Sequence, residues 1–293
     1  SVWDNIKNDP DTPLINRYIQ GTYIPGSIVK MITQIGILKE GNYDLNMTQY
    51  CPGFYQFGDR IFGCWVTEGH GAVNLTQAMA MSCDVFFYKA VQSIDIDKLH
   101  DTFKQFGFGE KTKIDIPNEL SGLVPNKDYM YQRYGKYGWS KGSLLNLAIG
   151  QGELLVTPMQ VLNYINLIST RGESPSCHFV MVDNLPKNSK PQLEEFIWDQ
   201  VFIGLRSVIV GKKGTGKRSD PNIGGLEIFG KTGTAENPHG DNHAWFTGWA
   251  EYLDEKYSIV VLLENAGSGG AVAAPLAKKV FTELINRTLL TLK

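Results

Sequence analysis

The final third of the chain confines the fold most tightly. Residues 227–236 (EIFGKTGTAE), 243–252 (HAWFTGWAEY) and 257–265 (YSIVVLLEN) are rich in aromatic and β-branched side chains. Only short polar connections, Asn237 to Asn242 and Leu253 to Lys256, separate them, which predicts three neighbouring strands of an antiparallel meander. The segment 271–292 carries Ala, Leu, Val and Ile at helical spacing and is expected to pack on that sheet. Upstream the pattern is helical. Ser27 to Leu38 (SIVKMITQIGIL) follows the turn signal Pro25-Gly26, so a buried helix is expected to start near Ser27. Between Val73 and Val91, Leu75, Ala78, Met79, Val85, Phe86, Phe87 and Ala90 keep partly helical spacing, broken by the polar set Ser82-Cys83-Asp84. Further helices are expected over 98–106 and 157–169, with a glycine-bearing connection between them. No repeat, low-complexity tract or long linker marks a boundary, so one continuous domain with lobes is expected: a sheet flanked by helices, with a mostly helical middle.

Composition excludes several classes. Lys and Arg total 28 against 30 Asp and Glu, a formal charge of −2, so there is no general electrostatic case for nucleic acid. Hydrophobic residues make up 42%, enough for a sizeable core and too many for a disordered chain. No apolar run approaches the roughly 18 residues of a membrane span. The sequence opens at Ser1 in a polar stretch, and any anchor or targeting segment is expected upstream of it.

Three motifs carry chemistry. In Ser27-Ile28-Val29-Lys30 a hydroxyl and an amine three positions apart share one helix face, where the amine can take the hydroxyl proton if its pKa is lowered. The first turn of a helix also offers backbone N–H groups to a developing oxyanion. About one Ser-x-x-Lys is expected by chance in such a chain, so the pair decides nothing alone. Ser82-Cys83-Asp84 can relay a proton through Ser82 and orient a lysine or a substrate amide through Asp84, although taken alone it reads as a helix cap or a buried polar pair. Lys231-Thr232-Gly233-Thr234 lies within a predicted strand, where an interior glycine marks close approach by another backbone or a ligand, and a lysine beside two hydroxyls suits a carboxylate.

In this order, Ser-x-x-Lys, Ser-x-Asp and Lys-Thr-Gly resemble the motif set of penicillin-interacting serine enzymes. With Tyr23-Ile24-Pro25-Gly26-Ser27, Ile149-Gly150-Gln151-Gly152, Thr157-Pro158, Gly230 to Glu236 and Ala244-Trp245-Phe246-Thr247-Gly248, the chain resembles the transpeptidase domain of class B penicillin-binding proteins over essentially its whole length. Within them it is most like the elongation-type members of rod-shaped bacteria, because Asp84 replaces the commoner Asn and a Cys/His set surrounds that motif. The resemblance implies an α/β (α+β) fold: an antiparallel sheet of about five strands flanked by helices, with a mostly helical second lobe. Residues 1–293 would form one transpeptidase domain, its membrane anchor and pedestal lying outside this chain, on the periplasmic face of the inner membrane. Ser27 would attack the penultimate D-Ala carbonyl of a stem peptide, with Lys30 as acylation base. Ser82 and Lys231 would shuttle protons, and Asp84 would fix the peptide or Lys30. Thr232 and Thr234, flanking Gly233, would bind the substrate carboxylate, and the N–H groups of Ser27 and Thr234 would form the oxyanion hole. β-Lactams would acylate Ser27. A SEDS-family glycosyltransferase and an elongasome scaffold protein are the implied partners, and acyl transfer needs no cofactor.

Cys51, Cys64, His70 and Cys83, with 12, 5 and 12 residues between them, do not match the common Cys-x-x-Cys finger. Their spacing leaves open a tetrahedral zinc, a Cys51–Cys64 disulfide with a buried free Cys83, or a zinc in which Asp59 substitutes for one ligand. The resemblance raises the metal reading, since some elongation-type members are thought to carry zinc beside the second motif. On a helix, Cys83 would point about 100° away from Ser82. His239 and His243 read as surface and strand-end residues, Glu153 as surface or lip, and His100, His178 and Cys177 as structural. A β-lactam sensor domain, a slow serine β-lactamase and a D,D-carboxypeptidase are the alternatives. The near match to Glu-x-x-Leu-Asn ending at Leu145-Asn146 has Gly142 where a deacylating glutamate would stand.

Overall fold

The computed structural model describes residues 2–10, 12–40, 43–180, 188, 191–238 and 240–291. The chain begins with α1 (Val2–Lys7) and α2 (Arg17–Gln20), and then a 3-10 turn, Gly26–Val29, runs directly into α3 (Lys30–Glu40). Four short strands follow: β1 (Gln49–Cys51), β2 (Phe54–Phe57), β3 (Arg60–Gly63) and β4 (Gly71–Val73). The helical middle comprises α4 (Leu75–Ala80), α5 (Asp84–Ala90), α6 (Ile96–Gln105), α7 (Lys127–Tyr134), α8 (Gly142–Ala148), α9 (Pro158–Ser169) and α10 (Glu195–Val210). The chain closes with β5 (Glu227–Ala235), β6 (His243–Tyr252), β7 (Glu255–Leu263) and, after a π-turn, α11 (Ala274–Thr291). No helix among the described residues is long and apolar enough to cross a membrane.

The meander forms as the sequence predicts, in the order β5-β6-β7 with both pairings antiparallel. The expected count of about five strands is corrected: the main sheet has three among the described residues, and the other four pair as two separate ribbons, β1 with β4 and β2 with β3. Those strands are only three or four residues long and are joined close to the cysteines, so they close on one another rather than extend the sheet.

The period of two along a strand determines what β5 presents to each side. Phe229, Lys231 and Gly233 share one face with their partners Trp249, Thr247 and Trp245. On that face Phe202 of α10 meets Trp249, which stacks on Phe229 with ring centroids 4.7 Å apart. The opposite face carries Phe246, covered by Phe281 of α11. Helix α3 is buried along Lys30–Leu38, as its apolar run requires, and a methyl-bearing face alone does not explain its burial, since Lys30, Thr33 and Gln34 are inside as well. Thr33 donates to the Ala148 carbonyl at 2.7 Å; Lys30 belongs to the site.

Candidate active site

Three elements converge on one cleft of about 850 Å³. Ser27 sits in the 3-10 turn ahead of α3 and lines the cleft, with Lys30 one turn further on and fully buried. The expected helix start near Ser27 is therefore observed, tightened into a 3-10 turn. Strand β5 passes close beside it: a Cβ on Gly233 would lie 2.8 Å from Ile28 Cγ2 and 3.0 Å from the Pro25 carbonyl oxygen. Gly26 has φ +57 and would bring a Cβ to 2.5 Å from the Thr234 carbonyl oxygen. The interior strand glycine thus marks the close approach of another backbone.

Ser82-Cys83-Asp84 is placed at a turn rather than on a helix, which corrects the helical geometry expected for Cys83. The Cys83 N–H donates to Ala78 O at 2.9 Å and the Ser82 N–H to Met79 O at 3.2 Å, the Schellman arrangement that closes α4. Ser82 occupies its left-handed position at φ +56, where glycine is favoured. A serine held there costs on the order of 1 kcal/mol or more, and what it provides is a hydroxyl aimed inward. Asp84 begins α5, where the helix dipole favours a negative charge.

The buried polar groups form one network. Lys30 Nζ donates to Ser82 O at 2.9 Å, to Ser82 Oγ at 3.1 Å and to Asp84 Oδ1 at 2.7 Å. Lys231 Nζ donates to Ser82 Oγ at 2.9 Å and to Thr232 O at 3.0 Å. The Ser82 hydroxyl therefore bridges two amines, both on fully buried lysines. Burial, and then the charge of Lys30, push the Lys231 amine well below the ordinary lysine range, with Asp84 opposing them. Thr232 Oγ1 donates to Thr215 Oγ1 at 2.7 Å, and Thr234 faces the cleft beside them. Gln151 reaches the Thr234 carbonyl at 3.3 Å. All the expected Ser, Lys, Asp and Thr residues are brought together.

Several participants carried no motif signal. Trp65 donates its backbone N–H to Asp84 Oδ2 at 3.1 Å and its indole N–H to Met81 O at 3.0 Å, while the ring itself remains exposed along the cleft. Its position next to Cys64 was the available hint. Thr215 lies in an irregular loop that no periodicity distinguishes. Arg60, Tyr88 and Glu236 also line the cleft.

Cys51, Cys64, His70 and Cys83 come together, with their ligand atoms all within 4.8 Å of one another. His70 Nδ1 lies 3.6 Å from Cys51 Sγ and 3.5 Å from Cys64 Sγ. The hydrogen bond between Cys64 and Cys83 holds the Cys64 thiol far below its ordinary range and raises Cys83. All four cysteines are free, so the Cys51–Cys64 disulfide is not formed. Asp59 stands at the exposed turn between β2 and β3, outside the cluster. Cys177 meets Asn166 and Asn163, and His100 the Val124 carbonyl, both structural placements. His178 is equally structural, its Nδ1 facing the Ser176 carbonyl. His243 accepts from the Asn265 N–H at a strand end. His239 lies outside the described residues.

Residues 3–282 match the penicillin-binding protein transpeptidase domain. The chain belongs to that family. Among penicillin-binding transpeptidases it is similar to the peptidoglycan D,D-transpeptidase MrdA of Haemophilus influenzae, 31% identical over 98% of this chain and 48% of that protein. It is also 32% identical to MrdA of Acinetobacter baumannii, over 95% of this chain and 45% of that protein. The chain thus spans about half the length of these relatives. Its fold is similar to Helicobacter pylori PBP2 in complex with MreC, with TM-score 0.86 and 35% identity over 96% of this chain and 53% of that one. Pseudomonas aeruginosa PBP2 in complex with WCK 5153 gives TM-score 0.87 and 31% identity over 96% of this chain and 62% of that one. Within the family the likeness is to the class B, penicillin-binding protein 2 branch.

Proposed function

We propose that this transpeptidase domain cross-links peptidoglycan stem peptides during cell elongation through an acyl-enzyme on Ser27, and that β-lactams inhibit it by acylating the same hydroxyl. The observation that carries the reading is the Lys30–Ser82–Lys231 chain beneath Ser27, in which one hydroxyl lies within hydrogen-bond reach of both amines.

Lys30 can accept the Ser27 proton only after giving one up. Its own passes to Ser82 Oγ while the Ser82 proton passes to Lys231, the amine that burial keeps proton-poor. Ser27 Oγ then bonds to the penultimate D-Ala carbonyl carbon as its proton goes to Lys30. The carbonyl oxygen becomes an oxyanion held by the N–H groups of Ser27 and Thr234. Collapse breaks the peptide bond, and the departing D-Ala nitrogen takes a proton from Ser82, which is refilled from Lys231. An acceptor amine then attacks the acyl carbon, loses a proton through the same hydroxyl, and Ser27 recovers its own. Thr232 and Thr234 receive the terminal carboxylate, and Asp84 fixes Lys30 at 2.7 Å. Gly142 at the start of α8 contributes no carboxylate to activate water, which favours attack by an amine over hydrolysis.

The three thiols and His70 suit a tetrahedral zinc, which we assign a structural role. Cys51, Cys64, Cys83 and His70 Nδ1 would hold it, tying the segment from 51 to 70 to the turn bearing Ser82 and Asp84. A periplasmic location, an anchor and pedestal in segments outside this chain, and a SEDS-family glycosyltransferase and an elongasome scaffold as partners complete the proposal. The MreC complex of Helicobacter pylori PBP2 and a peptidoglycan synthase complex of a 30% identical relative support the last part.

Intact-mass detection of a penicillin adduct on wild type and its absence on Ser27→Ala tests the nucleophile. Turnover of a D-Ala-D-Ala thioester with a D-amino-acid acceptor separates transpeptidation from mere binding of the antibiotic. Adduct formation on Ser27→Ala would overturn the assignment.

A further inference from the structure

The segment 127–141 (KDYMYQRYGKYGWSK) holds five aromatic residues and four basic ones against one acidic, in a chain whose net charge is −2. It comprises α7 and the loop into α8. Folding accounts for part of this composition: Tyr129 and Trp139 pack against the main core, and Tyr131 meets Trp139 with ring centroids 5.7 Å apart. Tyr134 and Tyr137 face outward, 41% and 90% exposed.

The loop is built to keep them there. Gly135 has φ +75, and a Cβ on Gly138 would lie 1.7 Å from the Tyr134 carbonyl oxygen, so the turn closed by the Gly138 N–H donating to Gly135 O depends on both glycines. Its tip is Lys136-Tyr137. Cations flank the rings, with Arg133 5.9 Å from the Tyr134 centroid and Lys136 5.6 Å from that of Tyr137. A large ring presented to water at the tip of such a turn adds nothing to the core, and exposed aromatic groups of this kind mark contact surfaces.

The patch adjoins the cleft. The Tyr134 hydroxyl donates to Glu153, which lines a small cavity together with Asn146 and Gly152. Asn146 and Gly152 also line the Ser27 cleft. On the other side, a Cβ on Gly142 would stand 3.1 Å from Phe62, itself a cleft residue.

We propose that Tyr134, Lys136 and Tyr137 form a landing surface for the amino-sugar strand from which the stem peptide hangs. The inference rests on the transpeptidase reading above. The cleft accommodates a peptide end, whereas the polymer bearing it must leave across the rim. Pyranose rings present C–H faces that stack on exposed tyrosine rings, and Arg133 and Lys136 complement the carboxylates of peptides along the strand. Continuity with the cleft favours this occupant over an anionic lipid surface, which would not need to adjoin the nucleophile.

The test measures binding of soluble glycan strands carrying uncross-linked stem peptides to wild type, Tyr137→Ala and Lys136→Glu, with phosphatidylglycerol vesicles in parallel. Both substituted side chains are exposed at the loop tip, and melting curves check the fold of each variant. Each substitution is expected to weaken glycan binding about tenfold. Unchanged glycan affinity overturns the landing surface, as does loss of vesicle binding with glycan binding retained. Ser27 adducts are followed on the same samples: if wild type forms none, the transpeptidase reading fails instead.

Discussion

Asp84 is the residue whose removal tests the network most directly. Its Oδ1 lies 2.7 Å from Lys30 Nζ, and its Oδ2 accepts the Trp65 N–H at 3.1 Å. The Lys30 side chain is fully buried and that of Asp84 11% exposed, so solvent screening is slight. Asp84→Ala leaves an ammonium in the interior without its counter-charge, which costs about 3–5 kcal/mol for a broken buried pair. For a domain of this size the expected fall in melting temperature is on the order of 6–10 °C. Asp84→Asn keeps a single acceptor oxygen, which can serve Lys30 or the Trp65 N–H but not both, so it should lose somewhat less than Asp84→Ala. Asp84 also raises the Lys231 pKa, so either substitution lets that amine lose its proton at lower pH. The acid limb of the rate of Ser27 acylation by penicillin should therefore move down in pH while the maximal rate falls at least tenfold in Asp84→Ala. Calorimetry and stopped-flow acylation between pH 5 and 10 read both effects. A melting temperature within 2 °C of wild type, or an acid limb displaced upward, would refute the reasoning.

The strand glycine offers a second test: Gly233→Ala should drive a methyl into Ile28 and the Pro25 carbonyl and slow acylation at least tenfold, and a wild-type rate would show that β5 can retreat at no cost. Lys231 supplies a pH signature of stability. Its folded pKa lies below the ordinary 10.5, so between those values the unfolded chain binds more protons and stability rises with pH; chemical denaturation should show that slope, and Lys231→Met should flatten it. For the metal, native mass spectrometry of protein purified without chelator should show one zinc, lost in Cys83→Ser together with a lower melting temperature. Zinc-free wild type would remove the metal proposal.

What the sequence made legible follows from how local each signal is. The meander, α3, α6, α9 and α11 lie where periodicity puts them, because each buries one continuous face against a neighbour. Helix α10 carries the same kind of signal in Phe196, Ile197, Trp198, Val201, Leu205 and Val208, and it supports the sheet through Phe202 against Phe229 and Trp249. Strands β1 and β4 are set by a pairing distant in sequence, Gln49 with Val73, and three residues are too few to show a period, whereas β2 and β3 form a local hairpin about Gly58-Asp59 whose four-residue strands are almost as short. The motif residues could be named because each needs a particular side chain at a fixed offset. Trp65 acts through a backbone N–H whose position depends on how loops pack, and Thr215 through a loop whose residues follow no pattern.

The position of Asp84 also explains why an acid is compatible here with a motif in which an amide is commoner. An amide has one acceptor oxygen, so it would satisfy Lys30 or the Trp65 N–H but not both, and it would leave two buried lysines sharing one hydroxyl without the carboxylate beside them. The carboxylate compensates one of them, so that the second is the amine driven toward neutrality. That division depends on Asp84 staying within reach of Lys30, and Asp84 is held by neighbours of the cluster on both sides: Cys83 precedes it in the chain, and Trp65, which binds its other oxygen, follows Cys64. Loosening the cluster should then act on catalysis through the proton balance of the lysines rather than through Ser27 itself. A Cys83→Ser chain should accordingly show a displaced acid limb of acylation, with the penicillin adduct still formed on Ser27. An unmoved pH profile alongside lost metal would confine the cluster to stability alone.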